Sequence, residues 1–226
     1  MIAVVTGAGR GIGRASAIAL AKRGLDVVLL GRSREELDEA AARVRDESRR
    51  AIALHCDVTS AAELEGAVQE TLRAFGAPTV VVANAGIVRR ATVHEMSESD
   101  WDAVLDVNLK GTFLTARAFL PSMRSANRGR FVAIGSISST LGTAGQSAYC
   151  ASKWGVVGFV KSLAEELRGS GLSAMCILPG SVQTKMLEGS GWEPQMSPDD
   201  VASLVAYAAL DAPAAMNGSA IEMFGP

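Results

Sequence analysis

Histidine is nearly absent from this 226-residue chain, which has only His55 and His94, and its three cysteines, Cys56, Cys150 and Cys176, form no C-x-x-C pair. No ligand set at zinc spacing follows, so a metal site is not expected, and an odd, scattered set of thiols fits reduced side chains better than disulfides. Long apolar runs are missing too. The longest candidates are core-sized, such as Val201 to Leu210, "VASLVAYAAL", well short of a membrane span. Lys and Arg total 22 against 24 Asp and Glu, so no basic field invites a nucleic-acid partner. The N-terminus lacks the basic start, long apolar middle and small-residue cleavage site of a signal peptide, which points to a cytoplasmic address. No Pro/Gly/Ser-rich linker, internal repeat or low-complexity tract divides the sequence, and residues 1–226 are expected to form one domain.

What is present is alternation. Short β-branched runs predict strands at Ile2–Thr6, Val27–Leu30, Ala51–His55, Thr79–Ala83, Arg130–Ile134, Ser173–Leu178 and Ala220–Phe224, with segments of helical period between them. That order is the pattern of an α/β chain with a parallel sheet flanked by helices. The runs "VVLL" and "TVVVA" are solidly apolar, as strands covered on both faces should be. Helix starts carry caps, Ser97 with Asp100 and Ser197 with Pro198 and Asp200, and the Arg/Glu-rich stretch from Arg32 to Arg50 reads as the wet face of a surface helix.

Directly after the first strand stands "TGAGRGIG", Thr6 to Gly13, opening into the helical "RASAIALAKRG". A glycine-rich strand-to-helix turn lets backbone N–H groups and the helix N-terminus approach a phosphate, because no Cβ intervenes. The pattern G-x-G-x-x-G/A is not met, since from Gly7, Gly9 and Gly11 its last place falls on Ile12, Arg14 and Ser16. What stands instead is T-G-x-x-x-G-x-G, with Gly7, Gly11 and Gly13 in the fixed places, and a tight turn is its plain alternative. In this motif, and over nearly its whole length, the chain resembles the single-domain classical branch of the short-chain dehydrogenase/reductase (SDR) family. The resemblance implies a Rossmann-like, doubly wound parallel sheet and a nicotinamide dinucleotide cradled by Thr6, Gly7, Arg10, Gly11, Ile12 and Gly13.

A carboxylate about twenty residues beyond such a loop accepts the ribose 2′-hydroxyl and repels a 2′-phosphate. Here "VVLLGRSREE" places Gly31, Arg32 and Ser33 there, with no carboxylate. Arg32, assisted by Arg10, suits a 2′-phosphate, so NADP(H) is favoured over NAD(H); solvated arginines are the alternative. The resemblance further implies that Asp57 in "CDVTS" bonds the adenine beside Val58, and that Asn84, Ala85 and Gly86 turn the backbone beside the cofactor. It also places Pro179, Gly180, Val182 and Thr184, in "LPGSVQT", along the nicotinamide carboxamide and pyrophosphate. Ordinary turns would account for each of these segments singly.

Carbonyl reduction needs a hydride donor and a proton donor at the developing alkoxide oxygen. Tyr149 and Lys153, in "YCASK", lie four apart, one turn along a helix face, and a nearby ammonium lowers a phenol's pKa from about 10. The resemblance places a catalytic serine thirteen residues before the tyrosine, at Ser136, with neighbouring Ser138 and Ser139 ranked second. It makes Asn108, in "VNLKG", the holder of a relay water and gives Lys153 a second task on the cofactor ribose. Locally paired polar groups, or a surface tyrosine–lysine pair, would explain these residues one at a time.

The chain is therefore expected to be an NADPH-dependent oxidoreductase interconverting a carbonyl and an alcohol on a small molecule, with a 3-oxoacyl thioester as one candidate. A non-catalytic dinucleotide-binding scaffold or redox sensor of the same fold is the alternative. The substrate loop, residues 184–198, is short, and its Met186, Leu187, Trp192 and Met196 suggest an apolar, open pocket. The ending "AIEMFGP" lacks the family's closing Gly-Gly. The resemblance also implies a homodimer or homotetramer, with helices near Asn108–Met123 and Tyr149–Arg168 packed across a two-fold axis.

Overall fold

Strands apolar along their whole length need cover on both faces. The computed structural model, which describes residues 1–225, supplies it. Seven strands, β1 (Ile2–Thr6), β2 (Asp26–Gly31), β3 (Ala51–His55), β4 (Val80–Ala83), β5 (Gly129–Ile134), β6 (Leu172–Pro179) and β7 (Ala220–Met223), form one sheet ordered β3-β2-β1-β4-β5-β6-β7. Every pairing is parallel. Each strand expected from the sequence is present, and no end is displaced by more than one residue.

Alternate residues feed two cores. On one face Val5, Leu29, Val82, Val132 and Ile177 pack with the buried sides of α1 (Gly11–Lys22), α2 (Arg34–Asp46) and α7 (Pro198–Leu210). On the other, Val4, Val28, Val81, Phe131 and Cys176 meet α3 (Ala61–Ala74), α5 (Gly111–Ser125) and α6 (Ser147–Glu166). The period of two along each strand thus serves both layers, which is why no polar alternation marks the sequence.

A short helix, α4 (Glu98–Leu105), runs into α5 through one π-helical turn, Asp106–Lys110. Helices α2, α3, α4 and α7 are capped by Ser33, Ser60, Ser97 and Ser197, each accepting from a backbone N–H in the first turn, and Ser197 with Asp200 closes a full capping box. Helix α1 differs. Its N-cap Arg10 makes no side-chain cap bond and its first turn holds no acidic residue, so its leading N–H groups and the positive end of its dipole are left for another partner.

The chain winds outward in opposite directions from β1 and β4, and such a switch point opens a crevice beyond the carboxyl ends of the strands. The Thr6 hydroxyl accepts from the Asn84 and Ala85 N–H groups at 3.0 and 3.1 Å. In return the Asn84 amide donates to the Thr6 and Gly7 carbonyls at 2.9 and 3.2 Å. These bonds lock the glycine turn, with Gly7 and Gly11 at φ of +61° and +53°, against the turn that follows β4. A Cβ at Gly13 would stand 2.2 Å from the Gly7 carbonyl oxygen, so only glycine lets α1 start this close to the strand.

Candidate active site

A cleft of about 1880 Å³ runs along the carboxyl edge of the sheet across the switch point. Single small-ligand pockets occupy roughly 300–1,000 Å³, so this one has room for a dinucleotide and a substrate together. Gly7, Arg10, Gly11 and Ile12 line it from the glycine turn, Arg32 and Ser33 from the segment after β2, Asp57 and Val58 from the one after β3, and Asn84, Ala85 and Gly86 from the one after β4. Ser136, Tyr149 and Lys153 form its floor, and Pro179, Gly180, Val182 and Thr184 close the far side. Thr6, Gly13 and Asn108 stand behind the wall and shape it from there.

The glycine turn fits a pyrophosphate. The uncapped N-terminus of α1 opens at Gly11, and a Cβ at Gly11 would lie 3.2 Å from the Thr184 methyl, filling the narrow space between the two loops. At the adenosine end Arg10 faces Glu36 at 3.4 Å and Arg32 faces Asp57 at 3.8 Å. Both pairs are solvent-washed and weak, so either arginine is free to turn to a ligand anion. Burial opposes ionisation of Asp57, but the Thr59 N–H and hydroxyl, at 2.9 and 2.8 Å, together with Arg32 hold its carboxyl below the usual range. Glu63 accepts from the Asp57 N–H at 2.9 Å and fixes this turn.

Ser136 follows β5 by two residues and caps the 3-10 turn Ile137–Ser139, its Oγ accepting from the Ser138 N–H at 3.1 Å. Ser139 is committed elsewhere, donating to the Lys153 carbonyl at 2.9 Å. Lys153, buried at 4 % exposure, donates from Nζ to the Ile134 carbonyl at 2.7 Å and sits 5.7 Å from the Tyr149 ring centroid. Behind them Asn108 is fully buried in the π-turn. Its Oδ1 accepts from Ile87 N–H at 2.8 Å, and its Nδ2 donates to the Ile87 carbonyl and Ser152 Oγ, both at 3.0 Å. Ser152 in turn donates to the Tyr149 carbonyl at 2.7 Å.

The family model described as short chain dehydrogenase matches residues 1–194. A 3-oxoacyl-[acyl-carrier-protein] reductase of Synechocystis is 37% identical over 224 residues, covering 95% of this chain and 91% of that one. A (2S)-[(R)-hydroxy(phenyl)methyl]succinyl-CoA dehydrogenase subunit of Thauera aromatica is 33% identical over 240 residues, covering 99% and 95%. The crystal structure of levodione reductase superposes with a TM-score of 0.94 at 28% identity, covering 99% of this chain and 96% of that one. The chain belongs to the short-chain dehydrogenase/reductase family. It is an NAD(P)-dependent oxidoreductase of that family.

Within this SDR two features, the Tyr149 phenol and Met196, depart from the expectations above. Burial pushes the Tyr149 phenol up, with Cys150 acting in the same direction and Ser136 and the Arg90 charge opposing it, whereas a lowered value was expected. Burial also pushes the Lys153 ammonium down to about 8, because the water that would stabilise either charged form is excluded. Met196 does not line the pocket. It is buried at 5 %, bridged to Val182 in the core beneath β6, while Met186, Leu187 and Trp192 do face the SDR cleft. Ser152, Glu63 and Arg90 escaped the sequence analysis, although Ser152 lies inside "YCASK" and Arg90 six residues after Asn84.

The depressed Lys153 value has a measurable sign. Between about pH 8 and about pH 10.4 the unfolded chain keeps a lysine proton that the folded chain has released, so this group's contribution to stability rises with pH across that window. Urea unfolding near both ends of the window should show the wild type gaining on Lys153→Met as pH rises. Equal pH slopes for the two proteins would refute the buried, poorly protonated lysine.

Proposed function

We propose that this SDR is an NADPH-dependent carbonyl reductase whose proton donor is Tyr149. The observation that carries the proposal is the convergence of Ser136, Tyr149 and Lys153 at the floor of one cleft whose other end is a glycine turn and an uncapped helix N-terminus. Bound nicotinamide would supply the hydride. Ser136 would donate a hydrogen bond to the substrate carbonyl oxygen and fix its angle of approach. Tyr149, which burial keeps protonated at neutral pH, would pass its proton to that oxygen as negative charge develops. Lys153 would hold the ribose hydroxyls and present its charge beside the phenol. Asn108, through Ile87 and Ser152, would keep the phenol and the turn after β4 in register. The names of the relatives support ketones, with 3-oxoacyl thioesters among them, as the substrate class.

Oxidation of NADPH against a panel of ketones, oxoesters, quinones and oxoacyl thioesters tests this directly. Tyr149→Phe should lower kcat/KM by about 10²- to 10⁴-fold, the usual contribution of a general acid, and full activity in that variant would remove Tyr149 from the mechanism. Tight NADPH binding with no turnover on the whole panel would favour the sensor alternative.

Arg32 and Arg10, flanking the adenosine end without a dedicated carboxylate at the end of β2, support the choice of NADPH. Arg32→Asp should move the ratio of kcat/KM values from NADPH toward NADH. An unchanged ratio would sink the 2′-phosphate assignment.

A homodimer or homotetramer in the cytoplasm fits the same proposal. No helix among the described residues is long and apolar enough to cross a membrane. Phe113 on α5 and Trp154 on α6 are 42% and 54% exposed, large apolar groups for an open helix face. Light scattering should report at least a dimer, and Trp154→Glu should weaken it; a wild-type monomer at micromolar concentration would overturn this assembly.

A further inference from the structure

Arg90 stands at the substrate end of the cleft, between the turn after β4 and the substrate loop. The chain beside it is fixed to the catalytic helix. Ala91 donates its N–H to the Gly145 carbonyl at 3.0 Å and forms a β-bridge with Gln146, three residues before Tyr149. Arg90 lines the same cleft as Ser136 and Tyr149. Its Nη2 donates to the main-chain carbonyl of Met186 at 2.9 Å, a neutral acceptor 96 residues away.

The charge on Arg90 is uncompensated. Its neighbour Arg89 pairs with Asp100 at 3.1 Å, and Arg10 and Arg32 each face a carboxylate, whereas no carboxylate lies within 4.0 Å of Arg90 among the described residues. Glu188 and Glu193 share the cleft without forming an ion pair with it. The Arg90 charge is nevertheless close enough to pull the Tyr149 phenol downward against its burial. An arginine has five N–H donors in a rigid fork, and Met186 occupies one of them. The remaining donors are suited to a bidentate anion a short distance from the reacting carbonyl.

We infer that Arg90 is a specificity-determining residue that receives an anionic oxygen group, carboxylate or phosphate, carried by the carbonyl substrate. The inference rests on the reductase function proposed above and narrows its substrate class. When the anion binds, the Arg90 fork spans it and Met186, so charge recognition also fixes the substrate loop at the mouth of the cleft.

Two matched pairs of substrates test it with this chain and NADPH: short oxo acids against their methyl esters, and a short keto phosphate monoester against the corresponding uncharged keto alcohol. In at least one pair the wild type should favour the anionic member by about tenfold or more in kcat/KM, the scale of one charge-assisted contact. Arg90→Gln should collapse that ratio, chiefly through KM, and Arg90→Lys should keep part of it. A collapse in the first pair identifies a carboxylate, and one in the second identifies a phosphate. No preference in either pair, or an equal loss on both members in Arg90→Gln, overturns the inference while leaving the reductase intact. Turnover of none of the four compounds, nor of any neutral ketone, instead removes the reductase proposal and this inference with it.

Discussion

The reversal of strand order between β1 and β4 forces two neighbouring loops to leave the sheet in opposite directions, and the site depends on their staying joined at the root. Thr6 and Asn84 do this by exchanging both backbone and side-chain hydrogen bonds across the switch point. Buried polar groups are costly unless paired, and here each one's partner lies on the opposite loop, so neither loop can shift alone. The spacing of the glycines follows from the same constraint. Gly13 must pass under the Gly7 carbonyl for α1 to begin where its free N–H groups face the cleft.

A second tie carries that rigidity to α6. A π-turn shifts the register of the helix between Asp106 and Lys110, and such turns recur where a side chain must be aimed inward. The side chain aimed here is Asn108, whose amide holds both main-chain groups of Ile87 and reaches Ser152 beneath Tyr149. The turn after β4, the π-turn and the start of α6 thus form one connected network. Asn108 and Ser152 do not line the cleft themselves, yet their bonds tie the start of α6, and Tyr149 with it, to the turn after β4.

The sheet was legible because parallel strands buried on both faces leave unbroken apolar runs, such as "VVLL" between Asp26 and Gly31. The glycine turn and the Tyr149–Lys153 pair stood out because each has a fixed spacing along one turn or one helix, whereas Ser136 came from the family resemblance alone; the fold brings all of them to one cleft. Contacts between distant segments were not legible. Ser152 is an ordinary helix residue until the fold brings Asn108, 44 positions earlier, against it. Arg90 resembles the adjacent Arg89 in sequence, and only the fold separates an arginine paired with Asp100 from one bonded to the neutral Met186 carbonyl. Met196 showed an apolar loop residue but not the bridge to Val182 that draws it into the core.

The pKa directions sharpen what the Tyr149–Lys153 pair does. A lysine four residues along the helix should lower a phenol's pKa only if it carries its charge where the phenolate would feel it. In this chain Lys153 is buried, one of its three Nζ donors is used on the Ile134 carbonyl, and its own value is depressed to about 8, so near neutral pH its charge is held with little to spare. The phenol, raised by the same exclusion of water, stays fully protonated. A protonated phenol beside Ser136 is the state required of an acid that gives its proton to a carbonyl oxygen gaining charge. The bias toward phenolate that the reverse reaction would need must then come from positive charge brought into the cleft. Among the chain's own residues Arg90 is the one whose charge already acts in that direction.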